Sequence, residues 1–175
     1  MAKGFFYGML FALLLGIAGA YAFVALGIMP ANADSPPSSI ESWAAQRSLR
    51  ASIRREAPSD ANPAALTDAN LAEGLKLYAQ NCMVCHGAAD GLASHIAVGL
   101  YQEAPQLAKD GVEDDPEGKI FWKIKHGIRL TGMPSFSKTL KDPQIWALTL
   151  FLKHMDSLSP SVKKAWEKLP SAAGR

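Results

Sequence analysis

Cys82-Met83-Val84-Cys85-His86 is the stretch on which the reading of this chain turns. Two cysteines separated by two residues, with a histidine directly after the second, form the attachment signature of c-type haem. Each thiol can add to one vinyl group of the same porphyrin, and two intervening residues let the backbone turn between the vinyl positions. The histidine then sits where its imidazole can serve as proximal ligand to the iron. The chain has no other cysteine. Three rival readings stand beside this one. A Cys82–Cys85 disulfide would close a very small loop and stabilise little. A thioredoxin-like pair calls for alternating strands and helices, which the flanks lack. A zinc site calls for more Cys or His at ligand spacing nearby.

Iron held by one histidine leaves a sixth position to fill. Gly127 to Phe136 reads GIRLTGMPSF. Met133 lies between Gly132 and Pro134, in a stretch that cannot continue a helix, and a proline-stiffened segment can hold a thioether against a flat ring. Met83 lies inside the attachment loop, and Met155 falls on the apolar face of an expected helix. His95, His126 and His154 are the other candidates.

Outward from the motif the pattern is helical, with no convincing strand. Thr67 or Asp68 caps a helix running to about Asn81, with Leu71, Gly74, Leu75, Tyr78 and Cys82 on one face. Gly74 inside it costs about 1 kcal/mol against Ala, which a close helix crossing would explain. The expected partner starts with Asp142 as cap and Pro143 at its first position and runs to Ser157. Ile145, Leu148, Thr149, Leu152 and Met155 share one face. A third helix is expected from Pro116, capped by Asp115, to His126, closed by Gly127. Ala88 to Gly111 reads mostly as loop, with a short helix around Ser94 to Tyr101. A last short helix, Pro160 to Leu169, precedes a floppy tail.

Upstream, Phe5 to Met29 is apolar and uncharged, preceded by Lys3 and ended by Pro30. A run of that length can cross a bilayer core of ~30 Å. A cleavable signal peptide has a shorter apolar stretch, about 7–15 residues, and a small-residue cleavage site, which Ala31-Asn32-Ala33 offers. In either reading the remainder is exported, because Lys3 holds the start inside. A Pro/Ser-rich linker follows. Ile40 to Glu56 then reads as an Arg-rich helix with a partial apolar stripe (Ile40, Trp43, Ala44, Leu49, Ile53). It could lie on anionic headgroups, dock on a partner or on the globular domain, or stand as a solvated spacer. Pro58 and Pro63 end it. The expected organisation is thus 1–30 anchor or signal segment, 31–65 linker with the Arg-rich helix, 66–158 globular domain and 159–175 extension.

A net charge of +2 makes no electrostatic case for nucleic acid. Asp110, Glu113, Asp114, Asp115 and Glu117 precede Lys119, Lys123, Lys125 and Arg129. This order matches a helix dipole or marks a partner-steering surface. Arg129, or Trp122 through its ring N–H, is a candidate for a haem propionate.

From Asp68 to Ser157 the chain resembles the small mono-haem class I c-type cytochromes, most closely those similar to the cytochrome subunits of bacterial respiratory oxidases (the cbb3-type subunit III-like group). The CMVCH motif, the TGMP segment, Gly74 with Tyr78, and Phe151 with Leu152 carry the likeness. Pro105-Gln106-Leu107 resembles the family's P-x-L segment. The resemblance implies an all-α cytochrome c fold, with three main helices around one covalent haem c. It also implies a hydrogen bond from His86 to the Pro105 carbonyl. Cys82 and Cys85 would hold the haem, and His86 and Met133 would ligate the iron. The implied function is single-electron transfer in a respiratory or photosynthetic chain, by a carrier that is not itself an enzyme. The apolar run, which lies outside the resemblance, would hold it in lipid through residues 5–29 on the exported face of the inner membrane, as a tethered shuttle between a quinol-oxidising complex and a terminal oxidase or as a fixed subunit of one such complex. A gas sensor with displaceable Met133, or an electron-entry subunit of a dehydrogenase or oxidase complex, are the alternatives.

The anchor reading has a direct test. The mature protein is expected to stay in membranes through a high-salt wash; an amino terminus at Asp34 would instead mark cleavage after Ala33.

Overall fold

The computed structural model describes residues 2–173. It holds helices and no strand among them, as an all-α reading requires. The chain divides into two compact units that meet at Ser35 and Pro36.

The first unit is α1, Ala2–Ala25. Its segment Lys3–Ala25 is long and apolar enough to cross a membrane: 23 residues at 1.5 Å each give about 35 Å. The helix stops before the apolar run does. Gly27 takes φ +66, a left-handed conformation that ends helices and suits glycine.

The second unit contains α2 (Ser39–Glu56), α3 (Asp68–Asn81), α4 (Met83–His86), α5 (His95–Val98), α6 (Glu117–His126), α7 (Asp142–Lys153) and α8 (Pro160–Glu167). Local chemistry sets most of the boundaries. Ser38, Thr67 and Ser94 each accept a backbone N–H of the first turn, at Glu41, Asn70 and Ala97. Two expected caps act otherwise. Asp115 does not cap α6; its carboxylate reaches forward to Lys119 at 2.5 Å and Lys123 at 3.3 Å. Asp142 is the first residue of α7 and pairs with Lys125 at 2.8 Å, while the Gln144 side chain accepts the Lys141 N–H. Burial acting alone would raise the Asp115 carboxyl. The two lysines outweigh it and hold the group below the usual carboxylate range. Much of the charge run is therefore consumed inside the molecule.

α7 also ends earlier than its apolar pattern suggests, at Lys153. The His154 N–H is shared between the Leu150 and Phe151 carbonyls, which tightens the last turn and stops the helix. Met155 lies beyond it, partly buried against the core.

α3 and α7 form the main helix pair, and they touch at Gly74. A Cβ there would stand 2.6 Å from Phe151 Cβ and closer still to the Ala147 carbonyl oxygen. Tyr78 and Phe151, both fully buried, meet Trp166 of α8 in a three-ring cluster with centroids 5.3–5.7 Å apart. Edge and tilted pairs of this kind add about 0.5–1.5 kcal/mol each beyond area burial. The segment beyond residue 158 therefore adds Val162 and Trp166 to the core, and Ala172 is buried where the sequence predicts a floppy tail.

α2 is not a solvated spacer. It packs on α6 through Ile53, which is buried. Arg47, Arg50 and Arg54 remain on the solvent side.

At Gly74 the obstacle to any side chain is backbone, which cannot swing away. Overpacking costs ~1–3 kcal/mol, against the ~1 kcal/mol that alanine gains in helix propensity. Gly74→Ala is expected to lower the thermal midpoint, and Gly74→Val to lower it further. A rise in either would mean that the helices do not meet there.

Candidate functional site

Cys82 closes α3 and opens α4, so the attachment motif is an immediate continuation of the α3–α7 pair. The N–H groups of Cys85 and His86 both bond the Cys82 carbonyl, at 3.0 and 2.9 Å, and wind the motif into one helical turn. Gly87 at φ +79 then breaks that turn.

His86 is held from several sides. Its Nδ1 lies 2.9 Å from the Pro105 carbonyl oxygen. A carbonyl only accepts, so Nδ1 carries the proton and donates, and the neutral ring leaves the Nε2 lone pair free. Burial pulls the imidazole below its ordinary pKa, which favours this neutral form, while the Pro105 bond acts in the opposite direction. The backbone is pinned as well. The His86 carbonyl accepts from Leu107 N–H at 3.1 Å and from the Tyr78 hydroxyl at 3.1 Å, and the same hydroxyl donates to the Gly87 carbonyl at 2.8 Å. Gln106 Nε2 donates to the carbonyls of Cys85 and Ala104, each at 3.0 Å.

Met133 is positioned by the end of α6. The Gly127 N–H bonds the Lys123 carbonyl, and Gly127 itself is at φ +67. The chain then loops and returns: Phe136 N–H reaches the Ile124 carbonyl at 3.3 Å, and Ser137 N–H reaches that of Lys125 at 3.0 Å. Carbonyls that a helix end leaves unpartnered are thereby satisfied. Inside the loop the Met133 N–H donates to Thr131 Oγ1 at 3.1 Å, and the Met133 carbonyl accepts from Ile128 N–H at 3.1 Å.

Cys82, Cys85, His86 and Met133 all line one cavity. Ile120 and Ile124 of α6, Leu152 of α7, Leu107 and Phe136 supply much of its apolar wall. None of His95, His126 and His154 lines it, nor does Trp122 or Arg129. Trp122 is buried beside Glu56 at the end of α2.

The donor set fits a haem c. Two thiols, one imidazole with a free Nε2 and one thioether share an apolar cavity, and the thiols are free. The thiol electrostatics favour this over disulfide exchange. Burial, with the nearby Cys85, pushes the Cys82 thiol up to about 12, and burial raises Cys85 too. Exchange-active cysteines depend on the opposite shift. Among the described residues, no three or more His, Cys, Asp or Glu side chains gather as a metal cage.

Sequence reasoning brought the motif, the methionine and Pro105 together but missed three contributors. In the sequence Tyr78 shows only as part of an apolar face, which says nothing of its hydroxyl. Gln106 carries no signal of its own between Pro105 and Leu107. Leu49 of α2, more than thirty residues before the motif, also lines the cavity.

Residues 69–152 match the family model described as cytochrome c oxidase, cbb3-type, subunit III. The match covers α3 to α7 almost completely and supports reading this unit as an electron-transferring c-type cytochrome domain. No curated protein and no solved structure matches the chain.

Tyr78→Phe keeps the ring cluster and deletes one donor. The His86 carbonyl retains Leu107, so the Gly87 carbonyl is the group left without this partner. An unsatisfied buried group costs about 1–3 kcal/mol. A loss of that size in denaturant titration, with the helical circular dichroism unchanged, is expected; no loss would mean that the hydroxyl is not the donor.

Proposed function

We propose that the domain carries one covalently attached haem c and passes single electrons. Cys82 and Cys85 would hold the group, and His86 Nε2 and Met133 Sδ would ligate its iron. The observation that carries this reading is the convergence of the four donors on one apolar cavity, with His86 fixed by Pro105 in the tautomer that can ligate. When bound, the haem supplies reversible one-electron chemistry between ferrous and ferric iron.

The protein's part is to set that couple. Met133 offers a soft donor that favours the ferrous state, and His/Met ligation raises the potential relative to other axial sets. Ile120, Ile124 and Leu152 keep water from the ring, which disfavours the extra charge of the oxidised form. Pro105 strengthens His86 as a donor by accepting a hydrogen bond from its Nδ1–H. With both axial positions taken by side chains, no open position is left for a substrate, so the domain is a carrier and not an enzyme.

The family match supports association with a respiratory oxidase, and α1 is long and apolar enough to be a single-pass anchor. We therefore place the domain on the exported face of the inner membrane, tethered there. It receives electrons from a quinol-oxidising complex and delivers them to a terminal oxidase.

The test is spectroscopic. Haem is expected to stay with the denatured polypeptide through acidified organic extraction. The ferric protein should show the red-region charge-transfer band of methionine–iron ligation, and Met133→Ala should abolish it. Carbon monoxide should leave the reduced wild type unchanged; ready binding would favour a gas sensor. A bis-histidine spectrum would remove Met133 from the ligand set.

A further inference from the structure

The helix α2 lies outside the segment that matches the family, yet it reaches the cavity. Leu49 lines it, together with Cys82, His86 and Met133. Ile53, one turn on, is buried as α2 packs on α6. The helix is also held near its start, where the Tyr101 hydroxyl donates to the Glu41 carboxylate at 2.5 Å. Beyond α2 the chain stays pinned. The Pro58 carbonyl sits against Gly118 so closely that a Cβ at 118 would overlap it. Asn62 Nδ2 donates to Glu117 Oε1 at 3.0 Å and to the Trp146 carbonyl at 3.2 Å. These attachments reach the loop before α6, α6 itself and α7, so α2 is strapped down along its length and past its end.

We infer that Leu49 is a wall of the haem pocket supplied from outside the family-matched segment, and that α2 thereby raises the reduction potential of the site. The inference rests on the haem reading above. The physics is solvent access. Oxidised haem carries one more positive charge than reduced haem, and water stabilises the charged form. An apolar side chain that closes part of the cavity excludes water and favours the reduced form. Replacing Leu49 with a small polar residue opens that wall and supplies a hydroxyl, and both changes favour the oxidised form.

The experiment uses the full chain, with Leu49→Ser, Leu49→Met and, as a control, Leu92→Ser, which changes an exposed leucine that does not line the cavity. Midpoint potentials are read by spectroelectrochemical titration. Haem content comes from the pyridine haemochrome spectrum and folding from thermal melts. A lower potential in Leu49→Ser, with Leu49→Met and Leu92→Ser both near wild type, is the expected result. Equal potentials in wild type and Leu49→Ser would overturn the inference, as would a fall in Leu49→Met as large as that in Leu49→Ser. If Leu49→Ser yields no folded protein, Leu49→Thr is read by the same criterion. Wild-type protein that holds no covalent haem would instead overturn the functional reading, so the two failures are distinguishable.

Discussion

The contact of α3 with α7 at Gly74 is the constraint from which the site follows. The absence of a side chain lets the backbone of one helix reach the other. That approach sets where α3 ends, and α3 ends in Cys82. It also brings Leu152, near the end of α7, to the wall of the same cavity. Tyr78, one turn beyond Gly74, couples the pair to the motif directly: its ring packs on Phe151 while its hydroxyl holds the His86 and Gly87 carbonyls. One side chain thus transmits helix packing to the orientation of the histidine.

On the opposite flank a different device places the methionine. The last carbonyls of α6 accept from the chain that follows, so the Met133 loop is in effect the cap of that helix. Both donors therefore stand on helix ends, and the helices are held by an apolar core of which the cavity is a continuation.

How much was legible in the sequence follows from the range of each signal. Caps act over three residues, so Thr67 marks a helix start that the structure places as read, whereas the short helix expected around Ser94 to Tyr101 starts there but ends at Val98. The CMVCH and TGMP segments are equally local. Gly74 was legible as an anomaly, a glycine on an otherwise apolar helical face, and the crossing explains it. Asp115 and Asp142 misled because an acid before a helix reads as a cap, whereas lysines along α6 attract both carboxylates. Leu49 was illegible for another reason. Of the expected apolar stripe only Leu49 and Ile53 turn inward, while Ile40, Trp43 and Ala44 stay exposed, and two apolar residues do not say what they will cover. Trp122 and Arg129 suited a propionate by composition, but the docking of α2 on α6 gives Trp122 a different neighbourhood.

The three-ring cluster bears on modularity. The family likeness ends at Leu152, but Trp166 supplies the third ring and Val162 of the same helix is buried with it. Likeness between sequences follows the residues that hold a cofactor, whereas water responds to every apolar surface left uncovered. The heritable module and the packed body are thus different lengths of the same chain. In this body Trp166 closes the back of the α3–α7 pair, so a gene fusion that borrowed only the recognisable part would inherit Cys82, Cys85, His86 and Met133 without the ring that completes the core behind them.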